Sequence, residues 1–109
     1  MDLWSEIGRL KGKTLNTLSR NNAFDIVEVS RHKVIIMPHA TGHERTIASL
    51  EIEGAFNEIV SSKEITRNDI QKRHSSFNPA YVAAILAALP GIRVVSRSPI
   101  QLEYESRTR

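Results

Sequence analysis

Apolar residues follow two different rhythms along this chain. Between residues 14 and 49 they gather in short runs rich in Val, Ile, Thr and Leu: Thr14 to Leu18, Phe24 to Val29, Val34 to Met37 and Arg45 to Ser49. Turn-forming residues separate the runs, namely Arg20-Asn21-Asn22, Ser30-Arg31-His32 and Pro38-His39-Ala40-Thr41-Gly42. This alternation predicts a small antiparallel β-meander. Val34, Ile35, Ile36 and Met37 are apolar at successive positions, so that strand belongs at the centre of the sheet and needs a helix over one face. A short helix precedes the meander, because Leu3, Trp4, Ile7 and Leu10 have helical spacing and Gly12 closes the segment.

After residue 50 the period changes to that of helices. Ile52, Ala55, Phe56, Ile59 and Val60 form one apolar stripe, with Glu51, Glu53, Asn57 and Glu58 mostly outside it. This amphipathic helix is the cover the meander requires. Thr66 followed three residues later by Asp69 has the form of a capping box, and Ile65 and Ile70 stand at the positions of a hydrophobic staple, so a second helix starts at Thr66. The same punctuation recurs at Asn78, an N-cap followed by Pro79, with Phe77 and Val82 as the staple pair. The third helix then carries Val82, Ile85, Leu86 and Leu89 and is closed by Pro90-Gly91. Ile92 to Val95 and Ile100 to Tyr104 alternate as strands around Ser96-Arg97-Ser98-Pro99 and predict a terminal hairpin. Trp4, Phe24, Phe56 and Phe77 are expected in the core.

The fold class that follows is α+β. An N-terminal helix and a small antiparallel meander (1–49) pack on a C-terminal half of three helices and a β-hairpin (50–104), and the tail 105–109 frays. A chain of 109 residues, 40% hydrophobic and 25% charged, suits one domain with a shared core. The longest strongly apolar run, Tyr81 to Leu89, is too short to cross a bilayer, and Met1-Asp2 is not the start of a signal peptide. With no cysteine in the chain, thiolate catalysis, disulfides and cysteine-bound zinc are excluded, and the cytoplasm is the expected compartment.

Charge is distributed unevenly although the net value is only +3. Residues 51–60 contain Glu51, Glu53 and Glu58 and no base, whereas residues 67–97 contain Arg67, Lys72, Arg73, Arg93 and Arg97 against Asp69 alone. A basic surface is therefore expected on the second half.

Enzyme signatures fail one by one. Gly12-Lys13-Thr14 ends like a phosphate-binding loop, but Ile7 stands where that motif needs glycine. His39, His43 and Glu44 are metal-ligand types confined to a turn, without a third placed ligand for a catalytic zinc. Asp69, His74, Ser75 and Ser76 include the types of a hydrolase triad, yet they crowd at one helix end, where Asp69 serves as a cap. The chain is read as non-enzymatic, with no metal and no cofactor.

Three short helices closed by a hairpin, with the loop His74-Ser75-Ser76-Phe77 before the third helix, make residues 50–104 resemble the winged helix-turn-helix superfamily in layout. The whole chain is also similar to small prokaryotic proteins of unknown function, in phrases such as Leu10-Lys11-Gly12-Lys13-Thr14-Leu15 and Asn78-Pro79-Ala80-Tyr81-Val82-Ala83-Ala84. The first resemblance implies duplex DNA as partner, with the N-terminal residues of the last helix in the major groove. Carried over by position, Asn78 and Tyr81 would face bases, and Lys72, Arg73, Ser75, Ser76, Arg93 and Arg97 would meet phosphate. The last helix, however, carries Ala80, Ala83, Ala84, Ala87 and Ala88 rather than base-reading side chains. The alternative is a protein-interaction or homodimerisation module in which that alanine face receives an identical or foreign helix, the same face otherwise packing on the first helix or the sheet of its own chain.

Overall fold

The computed structural model describes residues 2–105. It is a mixed α+β chain with two antiparallel sheets. The N-terminal helix α1 (Leu3–Gly8) buries Ile7, and the turns after it bury Leu10 and reach Gly12 at a φ of +84°. That positive φ suits glycine, and the Gly12 N–H donates to the carbonyl of Ile26 at 2.8 Å, which aims the chain into the first strand.

The meander forms as its alternation predicts. Strands β1 (Thr14–Asn16), β2 (Ala23–Val29), β3 (Lys33–Pro38) and β4 (Arg45–Ala48) pair in sequence order. Phe24 and Ile26 of β2 and Val34 and Ile36 of β3 point inward and are fully buried. Ile35 and Met37 lie on the opposite face and stay half-exposed, so the two apolar faces of β3 are not equivalent. A bulge between Ile26 and Glu28 shifts the register of β2 on β3.

Helix α2 (Ser49–Ser62) leaves β4 without a loop. The Ala48 N–H donates to the Glu51 carboxylate at 2.9 Å, satisfying a free donor at the helix start. Its stripe Ile52, Ala55 and Ile59 is buried to the last atom, and each such isoleucine contributes roughly 1.5–3 kcal/mol. The helix stops at Lys63, which adopts a φ of +72° and donates its N–H to the Ile59 carbonyl.

The next segment departs from expectation: Glu64–Thr66 is a strand, β5, paired with the distant end of the chain. Helix α3 (Arg67–Arg73) follows at once, opened by the predicted capping box. Thr66 Oγ1 accepts from the Asp69 N–H at 3.1 Å, and Asp69 accepts from the Thr66 N–H at 3.0 Å. Ile65 and Ile70, the predicted staple, are both buried.

Helix α4 (Pro79–Ala87) and the hairpin of β6 (Ile92–Arg97) and β7 (Ile100–Tyr104) complete the chain. The second sheet has the order β5-β7-β6, and the hairpin turn narrows to Ser98-Pro99. Of the tail 105–109 expected to fray, Glu105 donates its N–H to the Gly91 carbonyl at 2.8 Å, and residues 106–109 lie outside the described residues. Buried side chains from the meander, α2, α3, α4 and the second sheet form one continuous cluster. No helix among the described residues is long and apolar enough to cross a membrane.

Two expectations for α4 are corrected. Phe77 does not staple onto Val82; its side chain is 84% exposed, whereas Val82 is fully buried. The loop before α4 is drawn toward α2 instead, because Ser75 and Asn78 bond to Glu51, and this turns Phe77 outward. Of the other aromatic residues, Phe24 is core, and Trp4 and Phe56 pack on its edge. The alanine face is not an outward face either. Ala83 and Ala84 are 0% and 4% exposed, Ala80 and Ala87 are half-buried, and only Ala88 is exposed. Helix α4 packs on α3 and α2, on the hairpin and on strand β1 of the meander, and its small side chains let these neighbours approach.

Candidate functional site

The basic positions expected to meet phosphate are mostly engaged within the chain. Arg73 holds Glu58 with two hydrogen bonds and reaches Asp69 at 3.1 Å. That guanidinium keeps the Glu58 carboxyl at about 2, well below its ordinary value of 4.5. Arg93 pairs with Glu103 across the hairpin at 2.6 Å. Arg97 donates to the Leu18 carbonyl at 3.3 Å, tying the hairpin end to the meander. Lys72 is exposed and has no carboxylate partner among the described residues, and Ser76 is exposed. The charge segregation visible along the sequence is thus largely spent in joining α3 to α2 and β6 to β7.

Ser75 and Asn78 are buried, at 2% and 7% exposure, and belong to a polar anchor rather than a surface. Ser75 Oγ donates to Glu51 Oε1 at 2.5 Å and accepts from the Asn78 N–H at 3.2 Å. Asn78 Nδ2 reaches the same carboxylate oxygen over a long 3.4 Å. Asn78 therefore stands at the N-cap of α4 without capping it. Its Oδ1 is buried with no partner. A buried acceptor left unpaired costs about 1–3 kcal/mol, so this atom calls for a donor.

One wall of Asn78 belongs to an open cleft of about 670 Å³ at the seam between the meander and the second half. Arg20 and Asn22 come from the β1–β2 turn, Arg45 from β4, Arg67 and Asn68 from the start of α3, Phe77 to Tyr81 from the start of α4, and Pro99 from the hairpin turn. Three arginines line it and no acid does. All three are exposed and none has a carboxylate partner among the described residues. Arg67 donates to the Gln71 side chain at 3.2 Å. Arg45 donates to the Phe77 carbonyl at 3.2 Å and lies over the Tyr81 ring, 5.3 Å from its centroid. The Tyr81 ring also meets Phe24 edge-on at 5.0 Å, so Tyr81 is a packed wall of the cleft and not a free reader.

Of the expected site residues, then, the cleft gathers Asn78, Tyr81 and Ala80, and leaves Lys72, Arg73, Ser75, Ser76, Arg93 and Arg97 outside its lining. With Ala83 and Ala84 in the core, α4 has no outward stripe to lay in a major groove. Arg20, Arg45, Arg67 and Phe77 were not singled out by sequence as site residues. Their positions lie far apart in the chain, and only the seam brings them together.

The other candidate clusters do not assemble into reactive sites. His39 Nε2 and Thr14 Oγ1 both bond to Asp25, at 2.8 and 2.6 Å, on the exposed face of the meander, and these two bonds hold the Asp25 carboxyl below its usual range. The hydroxyl is therefore tied to the carboxylate rather than to the imidazole, which is not the arrangement of an activated nucleophile. Among the described residues no group of three metal-ligand side chains could hold an ion. Compared with known protein families, curated proteins and solved structures, the chain matches none.

Proposed function

We propose that this chain is a non-enzymatic nucleic-acid-binding protein that holds a polynucleotide backbone in the cleft between its two halves. The observation that carries the reading is the cleft's charge: Arg20, Arg45 and Arg67 converge on it without an acid in its lining. Guanidinium groups free of carboxylates are the side chains best suited to bind phosphate oxygens in pairs. The amide and hydroxyl side chains between them, Asn22, Asn68, Thr17 and Thr66, supply the neutral donors that usually accompany such contacts. The three-helix and hairpin layout of the second half, on which the winged-helix resemblance rests, agrees with this reading, although contact runs along the seam rather than through α4 in a groove.

Binding of a fluorescent oligonucleotide to the full chain, followed by anisotropy at two salt concentrations, tests the proposal. Three neutralised phosphates predict that affinity falls with salt at a log–log slope of roughly −2. Arg20→Glu with Arg67→Glu should abolish binding, whereas Lys72→Glu with Arg93→Glu should change it little. Equal loss in both pairs, or no binding by the wild type at low salt, would remove the reading.

A further inference from the structure

Resting on that reading, we infer that the bound polynucleotide is single-stranded, with one base stacked on Phe77 and another base's polar edge presented to Asn78. Three observations converge on this. The first is the rim: Phe77 is 84% exposed, and its carbonyl is held by Arg45 at 3.2 Å. Asn78, the residue after it, is fixed through its N–H to Ser75. A lone exposed aromatic is unremarkable by itself. One whose following peptide group is held at both its carbonyl and its N–H, beside three guanidiniums without a carboxylate partner among the described residues, is a pre-set platform for a base. Aromatic faces take any base when the strand is unpaired and its π-face is open.

The second observation is the orphaned Oδ1 of Asn78. It is an acceptor, and the phosphate oxygens that suit the arginines have no proton to give. Base amino and imino groups do. In a duplex the imino protons and one proton of each amino group are taken by the opposite strand and the second amino proton is reached only from within a groove, whereas in a single strand the whole edge is open. Oδ1 is buried in the free chain, so a base reaches it once the amide turns toward the cleft, a move that gives up only the long 3.4 Å contact from Nδ2 to Glu51.

The third is the state of α4. Duplex readout needs a helix with polar side chains facing out, and here Val82 to Leu86 are all buried while Tyr81 is packed between Phe24 and Arg45. What remains accessible is a cleft whose volume of about 670 Å³ is that of a site for a small ligand or a short stretch of strand.

The test compares four labelled probes on the full-length protein by anisotropy: a mixed-sequence DNA strand of about 12 nucleotides, within the roughly 4–16 that one single-strand-binding fold covers, its RNA counterpart, the annealed DNA duplex, and an abasic strand of the same length. The expected result is that at least one base-bearing strand binds more than tenfold tighter than both the duplex and the abasic strand. The DNA and RNA arms identify which strand is taken. Phe77→Ala should weaken that binding roughly five- to hundredfold without altering the melting curve, and Phe77→Trp should retain it. Neither change should alter what affinity the abasic strand has. A duplex or abasic strand bound as tightly as the base-bearing strand, or a Phe77→Ala variant that binds like wild type, overturns this inference while leaving the nucleic-acid reading intact. Salt-sensitive binding of none of the four probes removes the reading itself.

Discussion

Gly54 lies on α2 where a side chain has no room, and replacing it with alanine should reverse the usual effect of that substitution. On an open helix, Gly→Ala stabilises by about 0.8–1.0 kcal/mol because glycine loses more backbone freedom on folding. At Gly54 an added Cβ would lie 2.6 Å from His74 Nδ1, with the ring's Cε1 and Cγ at 3.3 and 3.4 Å. The ring cannot simply swing away. Its Nε2 is held 2.7 Å from Glu58 Oε1, and the side chain is only 17% exposed. Because Glu58 is ionised down to about pH 2, its carboxylate accepts and Nε2–H donates. Displacing the ring sacrifices a hydrogen bond to a charged group, worth about 1.5–3 kcal/mol, against a helical gain of under 1. Gly54→Ala should therefore destabilise by about 0.5–2 kcal/mol, a fall in melting temperature of roughly 2–16 °C for a domain of this size. Urea titration of the single variants and of Gly54→Ala with His74→Ala closes a double-mutant cycle. In the His74→Ala background the same glycine change should stabilise by up to about 1 kcal/mol. If Gly54→Ala stabilises the protein equally in both backgrounds, the helix and the loop are not in the contact described, and the account of how this loop is seated fails.

Two further outcomes rest on the same packing. Glu58 titrates near 2 in the folded chain against an ordinary 4.5, so its stabilising effect is complete above the unfolded value and is lost as pH falls from about 5 toward 2. That gap converts to at most about 3 kcal/mol, reduced to about 1–2 because Arg73 is half-exposed. Chemical denaturation at pH 6 and pH 3 should show the loss in wild type and a smaller one in Glu58→Gln; equal losses would refute the assignment. Ala84→Arg should unfold the chain, since Ala84 is 4% exposed and the change buries an unpaired charge at a cost of roughly 3–5 kcal/mol. A variant that keeps its circular dichroism and its melting transition would contradict the burial of this face.

What was legible in the sequence was what short-range chemistry decides. The capping box of Thr66 and Asp69 and the staple positions Ile65 and Ile70 lie within six residues; the box forms and both isoleucines are buried. The meander was legible because alternation and turn residues recur over four strands. Strand β5 was not, because Glu64–Thr66 offers one inward residue, Ile65, and its partner Leu102 lies at the other end of the chain. Phe77 met every local requirement of a staple and still faces outward, because Glu51, on another helix, holds the loop through Ser75 and Asn78. Charge misled for a related reason. The basic run 67–97 and the acidic run 51–60 are read separately along the chain, yet Arg73 and Glu58 meet in space, and neutralise the patch that either run suggests alone.

The same logic explains why the cleft could only be found in three dimensions. Arg20 sits in a β-turn, Arg45 at the start of a strand and Arg67 at the start of a helix, each of them an ordinary exposed position for an arginine. They differ from Arg73 and Arg93 in one respect: among the described residues no carboxylate pairs with them. Two come from the meander and one from the second half, so the seam is as much a part of the site as the side chains are. Arg97, which donates to the Leu18 carbonyl, and Tyr81, packed on Phe24, both bridge that seam. A change that loosens either bridge should widen the spacing between Arg20 and Arg67 and weaken binding while every cleft arginine is still present, because what the ligand meets is the distance the two halves keep.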